Sequence, residues 1–141
     1  MKKQITGVLL IIAGVFSVLY TEGKAVPIDV VYTWVNGNDT AWQKVKEERA
    51  IQCQKEIVHK DANSFNRFRD RNELKYSLRS LCQYAPFVNH IYIVTCGQRP
   101  FWMEPHPKIT FVNHEEIFQD TSHLPTFNSQ AIEAHLHRIP G

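Results

Sequence analysis

Three kinds of hydrophobic pattern follow one another along the chain. The first is the uninterrupted apolar run Ile5 to Tyr20, which carries no charge and follows Met1-Lys2-Lys3. At sixteen residues it is short for a membrane span, which needs about 20. It is long for the core of a signal peptide, and Gly23 and Ala25 offer small residues for cleavage after Ala25. The run predicts a hydrophobic N-terminal helix over residues 1–26, acting as a secretory signal or a short signal anchor. The lysines in front favour a cytoplasmic N-terminus with the remainder translocated.

The second pattern is β-branched and aromatic. Behind Pro27, the stretch Ile28 to Val35 has one charge, Asp29, and ends in Asn36-Gly37, which reads as a buried strand and a turn. His90 to Thr95, closed by Cys96-Gly97, and Lys108 to Asn113 read as further strands.

The third pattern has helical spacing. Leu74, Leu78, Leu81 and Cys82 lie at i, i+4, i+7 and i+8, with Asp70 and Glu73 placed to cap the helix and Pro86 to stop it. Thr40 and Gln43 match a capping box, which predicts a helix from Thr40 to about Ile57. Residues 58–66 read as a loop, and Glu115 to Phe118 as a short helical turn. Ser129 to Ile139 reads as a last helix with Ile132, Leu136 and Ile139 on its buried side. Strands alternating with helices in this order predict an α/β fold, a mixed, partly parallel sheet with flanking helices. Ligands in such sheets collect at the carboxyl ends of the strands.

Composition narrows the classes. With 141 residues, 43% of them hydrophobic and 11% aromatic, residues 27–141 suffice for one domain with a real core. A formal charge of +2 argues against nucleic acid as a partner; Arg67, Arg69 and Arg71 are the nearest approach to a basic stripe. Cys53, Cys82 and Cys96 are odd in number and lack a C-x-x-C spacing, so no zinc site is expected, and one disulfide is open to a luminal chain. Asn38-Asp39-Thr40 is a glycosylation sequon, usable only on the secretory route.

The chemistry-bearing candidates lie at the strand ends and in two charged groups. In Tyr32-Thr33-Trp34-Val35-Asn36-Gly37, either aromatic ring offers a stacking face for a base, and Gly37 admits a close backbone approach. The same residues also make an ordinary strand and Asn-Gly turn. Arg67, Arg69, Asp70, Glu73 and Arg79 form a cluster suited to a phosphate, or equally to a capped helix with solvated partners. Glu133 and His137, four apart on one helical face, can bind a metal, move a proton or form a plain surface pair, with Arg138 beside them. The chain has no phosphate-binding G-x-x-x-x-G-K-S/T, no G-x-G-x-x-G, no G-x-S-x-G and no Asp-x-Asp.

Several longer motifs taken together go further. Ile28 to Asp39, with Tyr32-Thr33-Trp34-Val35-Asn36-Gly37 at its centre, resembles the first conserved region of the Stealth family. Arg67 to Trp102, with Arg69-Asp70-Arg71-Asn72-Glu73-Leu74, resembles the start of the second region. That region continues through Ile93 to Gln98, His123 to Ser129 and Ala131 to Gly141. The family includes an animal GlcNAc-1-phosphotransferase precursor and bacterial capsule polymerases. The resemblance implies a nucleotide-sugar-transferase-like fold and transfer of a hexose 1-phosphate from a donor such as UDP-GlcNAc to a glycan or glycoprotein hydroxyl. It implies a divalent metal, Mg²⁺. It places Tyr32, Thr33, Trp34, Asn36 and Gly37 at the nucleotide sugar, with Arg69, Asp70 and Glu73 nearby. It gives Glu133 a catalytic or metal-organising role, with His137 and Arg138 matched beside it. In the family an Asn-Asp-Asp metal-binding segment and a catalytic His and Arg follow the position of Gly141. The expectation is therefore an incomplete domain, inactive or barely active alone, with a non-catalytic donor-binding or partner module as the alternative. The leader implies membrane attachment if uncleaved and a luminal Golgi domain, with the bacterial envelope or cytoplasm as the other setting.

Overall fold

A computed structural model of the chain describes residues 8–10, 26–52 and 64–140. The described strands form one sheet, β1 (Val8–Leu10), β2 (Ile28–Thr33), β3 (Val88–Thr95) and β4 (Ile109–Asn113), in that spatial order. Every pairing is parallel. The expected mixed sheet is thus corrected. Residues 96–108 are long enough to carry the chain back across the strand ends, so that Ile109 enters beside Ile91, and a return of about a dozen residues is what a parallel pair requires.

The leader also departs from expectation. Val8–Leu10 is the only part of the apolar run among the described residues, and it is strand, not helix. It is paired with Asp29 to Val31, where its backbone groups satisfy the outer ladder of β2. The rest of the predicted helix, with its cleavage site, lies outside the described residues. Among those residues no helix is long and apolar enough to cross a membrane.

Strand alternation sends successive side chains to opposite faces, so the sheet builds two cores. Val30, Ile91 and Ile93 pack with Leu74 and Leu78 of α2 (Glu73–Tyr84), joined by Tyr32, Trp34, Trp102 and Phe111. Val31, Val94 and Val112 pack with Ile117, Phe118 and Leu136 on the other face. Ile117 closes α3 (His114–Ile117), and Leu136 opens a 3₁₀ turn, Leu136–Arg138. Val30, Ile93, Val94, Val112 and Ile117 are almost wholly enclosed. Each contributes about 1.5–3 kcal/mol of burial relative to exposure.

The helices match the apolar spacing at their centres and differ at their ends. The helix α1 (Thr40–Gln52) buries no side chain. Its cap is Asp39, whose Oδ1 accepts from the amides of Ala41 (2.9 Å) and Trp42 (3.3 Å), so Thr40 is the first helical residue and not the cap. Gln43 is used elsewhere, donating Nε2 to the Gly37 carbonyl at 2.7 Å. The predicted continuation to Ile57 lies outside the described residues beyond Gln52. Asp70 caps the bend before α2, accepting from the amide of Asn72 at 2.8 Å, while Asn72 itself sits at φ 65°. The single helix expected over Ser129 to Ile139 is two pieces: α4 (Ser129–Glu133) and the 3₁₀ turn, separated at Ala134 and His135.

Candidate functional site

The carboxyl ends of β2 and β3 open on a cleft of about 420 Å³. Asn36, Asp39, Trp42 and Val45 line one side; Gly97, Gln98 and Arg99 line another; Pro125, Thr126 and Phe127 close it. Local chemistry explains this convergence. After β2 the chain turns at Asn36, whose Oδ1 accepts from the Asn38 amide at 3.0 Å, and Asp39 then starts α1 at the cleft edge. After β3, Gly97 adopts φ 87°, and its amide donates to Thr95 Oγ1 at 3.0 Å. The Thr95 hydroxyl in turn donates to the Gln98 carbonyl at 3.0 Å, which directs the Gln98 side chain back towards β2.

Gln98 joins the two strand ends. Its Oε1 accepts from the Asn36 amide at 2.9 Å, and its Nε2 donates to the Asn36 carbonyl at 3.2 Å and to Asp39 Oδ2 at 2.9 Å. These donors hold the Asp39 carboxyl below its ordinary range, the Gln98 amide first and the Trp42 amide next. Trp42 stands between Phe68 and Phe127, each ring centroid 5.3 Å away, with Phe127 edge-on. Arg99 holds its guanidinium 4.7 Å over the Phe111 ring. The cleft therefore combines an aromatic wall, a fixed carboxylate, backbone polar groups and a guanidinium-bearing residue. That combination suits a ligand with a flat ring, hydroxyls and anionic charge.

The sequence-predicted residues divide among this cleft, the core and the surface. Asn36 lines the cleft. Gly37 is buried beside it, its amide donating to the Phe68 carbonyl at 2.9 Å, so the close approach it permits is to the chain's own backbone. Tyr32 packs into the α2 core, where its hydroxyl shares a 2.7 Å hydrogen bond with Ser77 and burial pushes its pKa up. Trp34 packs in the same core, donating its amide to the Val94 carbonyl at 3.0 Å; its enclosed indole N–H has no acceptor among the described residues. Thr33 ends β2, exposed.

Arg69, Asp70 and Glu73 stand together before and at the start of α2. The Asp70 carbonyl accepts from Asn38 Nδ2 at 3.1 Å, tying the sequon amide to this turn. Glu73 accepts from the Arg71 amide at 2.6 Å, which lowers its pKa. Arg69 is exposed. Glu133 is the exposed last residue of α4, and His137 and Arg138 are exposed in the 3₁₀ turn. Since a carbonyl only accepts, His137 Nδ1 is the donor in its 3.0 Å contact with the Ala134 oxygen. None of these three residues lines the cleft. Among the described residues no three His, Cys, Asp or Glu side chains stand together as a metal site. Cys82 and Cys96 are free thiols, and Cys53 lies outside the described residues.

Asp39, Trp42, Gln98, Arg99 and Phe127 do not figure among the residues singled out from the sequence, although all line the cleft. Asp39 was open to notice as the one acidic group at the end of the first strand. Gln98 falls in the matched motif Ile93 to Gln98, but its pairing with Asn36, 62 positions away, carries no signal in the sequence.

Residues 67–141 match the family model described as Stealth protein conserved region 2, and residues 26–52 match Stealth protein conserved region 1. An exopolysaccharide phosphotransferase of Streptomyces coelicolor is 50% identical over 121 residues, covering 85% of this chain and 20% of the relative. Capsular polysaccharide phosphotransferases of Neisseria meningitidis (44% over 115 residues) and Actinobacillus pleuropneumoniae (45% over 116) each share 80% of this chain and 31% of their own length. The chain thus spans between a fifth and a third of the length of these relatives.

Proposed function

The chain belongs to the Stealth family, and from that premise we propose that it forms the donor-binding part of a sugar-phosphate transferase acting on a polysaccharide. The observation that carries this reading is that both matched regions wall one cleft. Asn36, Asp39, Trp42 and Val45 come from the first region, and residues from Cys96 to Phe127 come from the second. A nucleotide sugar, UDP-GlcNAc in the first instance, lies in this cleft with its base against the aromatic wall of Trp42 and Phe127.

The reaction is transfer of a hexose 1-phosphate. The acceptor oxygen forms a bond to the β-phosphorus, the bond from that phosphorus to the nucleoside monophosphate breaks, and the acceptor proton passes to a base. Positioning and charge neutralisation supply most of the rate in such transfers. Within this chain the part played is binding and orientation, with the Gln98 bridge holding the cleft walls at fixed separation. The family resemblance assigns Glu133 to the reacting centre, with His137 and Arg138 matched beside it in sequence, although none of the three lines the cleft. The family resemblance implies Mg²⁺, but the described residues do not form a set that would hold it. The relatives are phosphotransferases of bacterial capsule and exopolysaccharide, which supports the bacterial envelope over a Golgi setting.

The test is titration of the chain with UDP-GlcNAc by calorimetry and tryptophan fluorescence. Saturable binding whose fluorescence change disappears in Trp42→Phe supports the assignment. No binding of any nucleotide sugar would remove it.

A further inference from the structure

We infer that Asp39 is the hydroxyl-reading residue of the cleft: with Gln98 fixing its orientation, its carboxylate accepts a hydroxyl of the ribose or hexose, and the phosphates lie away from it. The inference rests on the donor-binding reading above. Its starting point is a contact that helix capping does not account for. Capping α1 occupies Oδ1 alone, through the amides of Ala41 and Trp42. Oδ2 is instead held by Gln98 Nε2 at 2.9 Å, and that amide is itself clamped by both backbone groups of Asn36. The Gln98 backbone is anchored in turn by the Thr95 hydroxyl. The carboxylate is thereby set in one orientation at the wall of the cleft.

Charge and valence then select the ligand group. An ionised carboxylate only accepts, with about four lone-pair sites, and three donors are placed on this one. Among the described residues no cation pairs with it. What remains suits one further donor and repels a phosphate. A nucleotide sugar presents both kinds of group, so its hydroxyl-bearing part is the one that turns towards Asp39.

The experiment measures binding of UDP, 2′-deoxy-UDP, 3′-deoxy-UDP and UDP-GlcNAc to the 141-residue chain and to Asp39→Asn and Gln98→Met. Asparagine caps helices as well as aspartate does, so Asp39→Asn keeps the start of α1. If the ribose is read, the wild type binds UDP about tenfold or more tighter than one deoxy analogue, the size of a hydrogen bond to a charged group. If the hexose is read, UDP-GlcNAc exceeds UDP by a similar factor. In either case Asp39→Asn abolishes the discrimination, and Gln98→Met, which leaves the carboxylate and its cap in place, reduces it. UDP binding without discrimination, or discrimination that survives Asp39→Asn, overturns the role of Asp39 and leaves the donor-binding reading intact. A wild-type chain that binds no nucleotide overturns both.

Discussion

Gly37 donates its amide to the carbonyl of Phe68 at 2.9 Å, and the contact is so close that no side chain fits between them. A Cβ on residue 37 would sit 2.0 Å from that oxygen and 2.5 Å from its carbon, where the obstacle is backbone and cannot swing aside. The glycine of the Asn-Gly turn is thus required for packing between the two family-matched regions.

Gly37→Ala is expected to destabilise the chain by at least about 1–3 kcal/mol, the ordinary cost of overpacking. Gly97→Ala is the comparison, since the nearest atom to its Cβ is 3.9 Å away and the cost is about 1–2 kcal/mol from its positive φ alone. Urea unfolding of both variants checks the order; an alanine at 37 no worse than one at 97 would contradict the packing described.

Stability should fall in acid through identified carboxylates. Asp39 is held below its ordinary 3.8 by the Gln98 amide, Glu73 below 4.5 by the Arg71 amide, and Asp120 below 3.8 by Ser122. A depressed carboxyl contributes stability that is complete above its unfolded pKa and is lost as pH falls through the folded value. The window therefore opens near pH 4 and extends downwards. Asp39→Asn should flatten this part of a melting-temperature profile between about pH 5 and 2; an unchanged slope would mean that the Gln98 contact does not form in solution.

His114 gives a second window of the same sign at higher pH. It is half-buried beside Phe118, and burial pushes its pKa below 6.5. Folding then favours the neutral ring, so stability is complete above pH 6.5 and declines as pH falls towards the folded value. His114→Asn should remove that decline, read from melting temperatures between about pH 7 and 5.

Glu133→Gln, made in the full-length protein, should lower sugar-phosphate transfer by at least about a hundredfold, the scale of a general acid–base contribution, with donor affinity nearly unchanged. Near-normal turnover in a transfer assay would exclude Glu133 from the chemistry.

Much of the frame was legible in the sequence because it rests on local pattern. The β-branched runs located three strands within a few residues, and Leu74, Leu78 and Leu136 are buried as their spacing requires. Helix ends were less legible. Asp39 and Thr40 are both good caps, and the choice falls on Asp39 because Gln98 also engages it. The break at Ala134 was hidden because a helix and a helix followed by a 3₁₀ turn bury Ile132, Leu136 and Ile139 with nearly the same spacing. The direction of β4 depends on the path of residues 96–108, which show no periodicity. The cleft was the least legible part: Trp42 meets Phe68 and Phe127, and Gln98 meets Asn36, through tertiary contacts that no spacing rule encodes.

The composition of that cleft also fixes when it can come into being. Its walls are drawn from positions as far apart as Asn36 and Phe127. A growing polypeptide that has emerged only as far as β3 carries Asn36 and Trp42 but neither Gln98 nor Phe127. On the ribosome, the cleft therefore cannot close until Phe127 has emerged.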